Sequence, residues 1–278
     1  ESGHVLGGPF YYIENGMGKN WRWLGKIFAF FGAGVGLLGI GTFTQVNGIT
    51  AAAGNFFDQN REHVINLFGN DYSIAVVVTG ILLTICVALV VLGGIQRIAS
   101  VSSVIVPFMA VFYIIACIAV LVLNAARIPA AFAEIIQSAF GLRAAAGGAL
   151  GAVLIAMQKG IARGIFSNEA GLGSAPIAAA AAQTNEPARQ GLVTMTGTFI
   201  DTIIVCTMTG LCIVLTGSHT AGLEGVAVTT RAFQMGLPVP AQFSAFLLMM
   251  CLIFFAFTTI IGWNYYGERC LEYLSNGS

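Results

Sequence analysis

Charge is scarce in this sequence. Only 9% of its residues are Asp, Glu, Lys or Arg, against about 25% in an average soluble domain. So little charge cannot cover a soluble globule of 278 residues. Twelve basic and twelve acidic side chains cancel to no net charge, which removes the basic face a nucleic acid or other polyanion would need. Residues 1–26 lack the short apolar stretch and small-residue cleavage site of a secretory signal. The six cysteines, Cys86, Cys117, Cys206, Cys212, Cys251 and Cys270, form no CxxC or Cys/His pattern and mostly sit inside apolar runs. They read as small buried apolar residues, with neither a disulfide framework nor a zinc site. HExxH, GxSxG and Walker A motifs are absent, so the chain does not read as an enzyme.

What is present is apolar: 57% of the residues, with a mean hydropathy of +0.85. A membrane-spanning helix needs about 20 mostly apolar residues. Six segments qualify: A (roughly 24–53), B (73–92), C (101–123), D (148–182), E (192–215) and F (243–263). The expected fold class is all-α, a polytopic helical membrane protein in a lipid bilayer. A seventh piece, 129–140, is too short to span; its apolar positions follow helical spacing, as in an amphipathic helix lying at the interface. Polar or turn-rich links join the spans at 58–63, 93–97, 184–189 and 217–242, the last long enough for a short capping helix. Lys19, Arg22, Lys26, Arg97, Arg189 and Arg269 fall on the side of the N-terminus, and Arg61, Arg127, Arg143 and Arg231 on the other. That bias places both ends of the chain in the cytoplasm. The chain starts at Glu1 and stops just after an apolar span, and so reads as an internal piece of a longer protein.

Span D departs from the pattern. Within Met157–Pro176 lie Gly160, Gly164, Gly171 and Gly173, a proline, and the ionisable Lys159, Arg163 and Glu169. Glycine lowers the cost of leaving helical geometry. Backbone freed at membrane depth costs several kcal/mol per group unless it faces a protein cavity, and a central charge costs about 3 kcal/mol. The stretch reads either as a discontinuous helix, whose free backbone groups bind substrate and ions, or as a cytoplasmic loop. The return of small-residue helix-forming sequence after Ser174 favours the first. Glu169 either neutralises Arg163 inside the bundle, or both reach the surface.

Asp201, alone in span E, is an ion ligand, a counter-ion to Lys159 or Arg163, or a structural partner of a backbone or hydroxyl group. Span A carries Gly32, Gly34, Gly36, Gly39 and Gly41, small residues that let helices approach closely, followed by the amides Gln45 and Asn47. Gln45 is the candidate for the site. Asn47 reads equally as interhelical glue or as a ligand. In span F, Thr258 and Thr259 offer oxygens that suit sodium, or else bond back to the preceding turn. Trp263 either joins an interfacial aromatic belt or walls a pocket.

These residues resemble the alanine or glycine:cation symporter family. The likeness is carried by Gly7-Gly8-Pro9-Phe10-Tyr11-Tyr12-Ile13, by Gly160 to Pro176, by Phe199-Ile200-Asp201-Thr202 and by Gly262-Trp263-Asn264-Tyr265-Tyr266-Gly267-Glu268, and covers essentially the whole chain. It implies a leucine-transporter-type fold of two inverted repeats, with spans A to F as core helices 3 to 8 of a single, partial transmembrane domain. Helices 1 and 2 and the last core helices would lie outside it, so the chain would hold half a site. The resemblance further implies sodium-coupled symport of a small neutral amino acid, alanine or glycine, across the plasma membrane. Gln45, Gly160, Gly164, Phe166, Ser167, Thr259 and Trp263 would bind substrate, and Thr258 and Thr259 would ligate Na⁺. Lys159, Arg163, Glu169 and Asp201 would be gating or structural charges. The alternatives are a proton-coupled transporter and a non-transporting sensor of the same fold.

Overall fold

The computed structural model describes residues 6–60, 62–67, 69–140 and 150–275. Arg61 and Arg143, both used in reading the orientation, and Gly148, the expected start of span D, lie outside them.

Helix α1 (Pro9–Met17) starts on its own proline, whose missing N–H leaves no bond unmade in a first turn. Span A is an interrupted helix: α2 (Arg22–Leu38), a π-helical turn over Ile40–Thr44, and α3 (Gln45–Phe57). A two-stranded antiparallel hairpin follows, β1 (Val64–Leu67) with β2 (Asn70–Ser73), in the register Val64↔Ser73. Span B is α4 (Ile74–Val91) and span C is α5 (Gly94–Leu123). The expected link at 93–97 is therefore nearly all helix, because residues 95–98 already carry the helical pattern of α5.

The interfacial piece is α6 (Ile128–Phe140). Span D is α7 (Leu150–Phe166), α8 (Glu169–Leu172) and α9 (Ala175–Ala179). Span E is α10 (Pro187–Thr198), a π-helical segment over Phe199–Val205, and α11 (Cys206–Leu215). The capping helix is α12 (Val226–Gly236), and span F extends well past its expected end as α13 (Ala241–Leu274).

Among the described residues, five helical stretches are long and apolar enough to cross a membrane: Lys19–Phe57, Ile74–Val91, Gly94–Leu123, Pro187–Leu215 and Ala241–Leu274. Their surfaces suit lipid: Leu38, Val104 and Val122 are among the most exposed side chains. The chain is an all-α polytopic membrane protein.

The chain divides into two compact units, Phe10–Ile115 with Pro238–Ser278, and Glu1–Pro9 with Ala116–Leu237. In the first unit the small-residue face of α2 (Gly25, Ala29, Ala33, Gly36) is buried. A Cβ on Gly36 would lie 3.0 Å from the Trp263 carbonyl oxygen and 3.1 Å from the Gly267 Cα, so α2 and α13 meet backbone to backbone. The close approach expected from the glycines of span A is there. Ile49, Leu83, Ala256 and Ile260 form the cluster that joins α3, α4 and α13. At the aromatic end of the seam, Phe10 stacks on Tyr273 at 4.6 Å, and the Tyr273 hydroxyl donates to Glu14 at 2.9 Å.

In the second unit α12 docks on the end of α5. Asn124 donates through Nδ2 to the carbonyls of Val120 (2.8 Å) and Gly236 (2.9 Å). Among its described side chains helix α6 buries only Ala131 and exposes Phe132, Ile135 and Ile136, the profile of a helix whose apolar face is turned to lipid.

Candidate functional site

The discontinuity in span D is shorter than its glycines suggest. Lys159, Gly160, Ala162, Arg163 and Gly164 lie inside α7, which runs on to Phe166. Gly160 and Gly164 have open space where a side chain would be. Glycine permits a break without forcing one, and the apolar run before it carries the helix through. The break is at Ser167 and Asn168. The Ser167 N–H still closes the last turn on the Arg163 carbonyl at 2.9 Å, and then the backbone of Asn168 becomes extended. The Asn168 side-chain oxygen accepts the Ala170 N–H at 2.7 Å, capping α8.

After one turn, Gly173 takes a left-handed conformation (φ 73°) and ends α8. The Ser174 N–H bonds back to the Glu169 carbonyl at 3.1 Å. Helix α9 then restarts on Ala175 and Pro176 with Ile177 buried, and turns at Ala180, so only part of the expected alanine helix forms. Within this reversal a Cβ on Gly171 would overlap the Ile165 carbonyl oxygen. The chain folds back onto the end of α7 through a position with no room for a side chain.

Span E holds the break from the side. Ser167 Oγ donates to Asp201 Oδ2 at 3.2 Å and lies 3.2 Å from Cys206 Sγ. Thr198 Oγ1 donates to Asn168 Oδ1 at 3.3 Å, and Thr202 Oγ1 to Asp201 Oδ2 at 3.5 Å. Of the roles open to Asp201, partner of a hydroxyl is the one seen. Lys159, Arg163, Phe166 and Glu169 are exposed. Asn168, Thr198 and Cys206 are not among the site residues expected from the sequence, which gives Ser167 no partner. The signal for Asn168 was there: an Asn ahead of Glu169, with Gly173 shortly after, is the signature of a short capped helix.

The first unit carries the remaining candidates. Gln45 opens α3 immediately after the π-helical turn, where Thr42 Oγ1 donates to the Gly36 carbonyl at 2.7 Å. Thr258 Oγ1 donates to the carbonyls of Phe254 and Phe255, both at 3.0 Å, and Thr259 Oγ1 to that of Phe255 at 2.9 Å. Back-bonding therefore uses the hydroxyl protons and leaves lone pairs on both oxygens, which is what a hard cation coordinates. Trp263 is buried, edge-on to Tyr266 with centroids 5.5 Å apart, and is no interfacial belt residue. Among the described residues, no three His, Cys, Asp or Glu side chains gather as a metal site.

A polar pocket of about 310 Å³ opens between α3, the hairpin and α4, lined by Asn47, Asn55, Asp58, Asp71 and Ser73 among others. The Ser73 hydroxyl donates to Asp58 and, with the Glu62 and His63 backbone, holds its carboxyl below the usual range.

The profile of the sodium:alanine symporter family matches residues 1–278. An uncharacterised transporter of Haemophilus influenzae is 54% identical over 276 residues, 99% of this chain and 56% of the relative. The sodium/alanine symporter AgcS of Methanococcus maripaludis is 43% identical over 280 residues, 99% of this chain and 57% of the relative. The probable sodium/glutamine symporter GlnT of Bacillus subtilis is 37% identical over 271 residues, 97% of this chain and 52% of the relative. The chain thus spans just over half the length of these relatives. All three are named as transporters, in keeping with a sequence that carries no enzyme motif.

Proposed function

The chain belongs to the sodium:alanine symporter family, and from that premise we propose that it serves the sodium-driven import of a small neutral amino acid, alanine or glycine, across the plasma membrane, as core helices 3 to 8 of a leucine-transporter-type transmembrane domain with its N-terminus cytoplasmic. The observation that carries this reading is the break at Ser167 and Asn168. It interrupts an apolar helix and is tied by side chains of spans D and E. Irregular backbone at membrane depth persists where it serves a buried polar site.

On this reading Gly160, Gly164, Phe166 and Ser167 contribute to substrate binding from the break, and Gln45, Thr259 and Trp263 from α3 and α13. Thr258 and Thr259 would ligate Na⁺ through the lone pairs that back-bonding leaves open. Lys159, Arg163 and Glu169 flank the break as gating or structural charges. Ion and substrate are coupled because each favours the conformation that the other binds. One sodium moving inward across 100 mV releases about 2.3 kcal/mol, enough to accumulate a neutral solute about fifty-fold.

The test is uptake of labelled alanine by the full-length protein in proteoliposomes. Uptake should require an inward sodium gradient, be competed by glycine, and be less sensitive to glutamine. Uptake that follows an imposed pH gradient in sodium-free buffer would replace sodium by the proton. Specific binding without flux would leave a sensor.

A further inference from the structure

Ser167 meets Asp201 and Cys206 at once, each at 3.2 Å. These two residues are five apart on span E. In a regular α-helix, with 3.6 residues per turn, positions five apart point about 140° away from each other. In π-helical winding the bonds run from i to i+5, so such residues stand nearly one above the other. The π-helical segment covers Phe199–Val205, the stretch between them. Its winding is what brings both side chains to one hydroxyl, while Thr198, at the end of α10, reaches Asn168.

We propose that the π-helical segment of span E is a latch that sets the geometry of the break in span D, with Asp201 and Thr198 as positioning residues acting through Ser167 and Asn168. Asp201 fixes where the Ser167 hydroxyl points by accepting its hydrogen bond. Thr198 donates to the oxygen of Asn168 that already caps α8, and so fixes the first turn after the break. Return of the segment to α winding would carry Asp201 and Cys206 onto different faces and release Ser167. Neither positioning residue needs to touch substrate. The proposal rests on the reading of the break as part of the substrate site.

Two readouts on the full-length protein in proteoliposomes test it. The first is sodium-driven alanine uptake. Asp201→Ala is expected to raise KM roughly tenfold to a hundredfold, the loss of one hydrogen bond to a charged acceptor, with the maximal rate little changed. Asp201→Asn, whose amide oxygen can still accept from Ser167, should recover most of the loss. Ser167→Ala should weaken binding alone and make Asp201→Ala no worse. Thr198→Val should also raise KM, and Thr198→Ser restore it.

The second readout is the rate of Cys206 alkylation by a maleimide, followed by mass spectrometry of its peptide in a Cys86→Ser background. Asp201→Ala should speed it and Asp201→Asn should not. Additive losses in the double variant, or an Asp201→Asn protein as damaged as Asp201→Ala in both readouts, would overturn the latch. If the parent protein transports no alanine, the proposed function fails, and the alkylation series still decides for or against the latch.

Discussion

Single hydroxyls and carboxyls do much of the positioning in this molecule. Thr258 and Thr259 illustrate how a back-bonded side chain stays available: each donates to a carbonyl of its own helix, so the oxygens are fixed without being used up. Thr258→Val and Thr259→Val are expected to raise the sodium concentration for half-maximal uptake at least about tenfold, while Thr259→Ser stays within about threefold, since a bond to a charged group is worth about 1.5–3 kcal/mol. Sodium titrations of uptake at fixed alanine check this; unchanged half-saturation in both valine variants would remove the pair from the ion site.

Asp58 gives a second test at the same scale. Its folded pKa lies below the unfolded one, the Ser73 hydroxyl being the main cause and the Glu62 and His63 backbone N–H groups adding to it. Its contribution to the hairpin is therefore complete above the ordinary carboxylate pKa of about 4 and lost as pH falls through the depressed value. Amide exchange of residues 70–73 should accelerate only in acid below that range. In Ser73→Ala the acceleration should begin at higher pH.

At the scale of elements, the helix breaks differ in how far they could be read. The spans themselves are set by apolar length: α5 and α13 contain the segments expected of C and F, and α4 matches B to within one residue at each end. Gly36 of span A was legible as part of a packing face because small residues at helical spacing leave a groove, whereas Gly34 meets open space. The place of the break in span D was not legible from glycine, which lowers a barrier everywhere it occurs. It is set by Asn168, whose side chain replaces a backbone acceptor. The π-helical turns at 40–44 and 199–205 leave almost no trace in sequence, since one inserted position changes neither composition nor local apolar period. The hairpin escaped notice because Val64–Leu67 is four residues long and lies beside a polar link.

The α2–α13 seam makes its own prediction. Gly36→Leu puts a side chain where the Trp263 carbonyl and Gly267 Cα stand 3.0–3.1 Å from a Cβ. Overpacking of that kind destabilises by about 1–3 kcal/mol or more. The melting temperature of the purified protein in detergent should fall, whereas Gly34→Ala, with no atom within 4 Å of the new Cβ, should hold or slightly raise it, alanine being favoured over glycine inside a helix by up to about 1 kcal/mol.

For the molecule as a whole, the surface argues as strongly as the interior. Leu38 and Val104 present most of their area outward, while Ala33 and Cys270 are enclosed. Spin labels at Leu38 and Val104 in a reconstituted bilayer should collide freely with dissolved oxygen and poorly with a water-soluble nickel chelate. Labels at Ala33 and Cys270 should be shielded from both. High chelate accessibility at Val104 would mean that this face meets water. Membrane class followed from the scarcity of charge, and spans A, B, C, E and F from the lengths of the apolar runs. What chemistry the spans support did not, because it depends on which side chains two non-adjacent segments bring together.

The contact of Gly171 with the Ile165 carbonyl bears on how such a molecule can diverge. A chain reversal with no space for even a methyl group is a fixed vertex: mutation can alter what surrounds it but cannot add to it. On the proposed function, a change of substrate size would have to be written at neighbours such as Phe166. Replacement of Gly171 itself would move the main chain on which every neighbouring side chain is mounted.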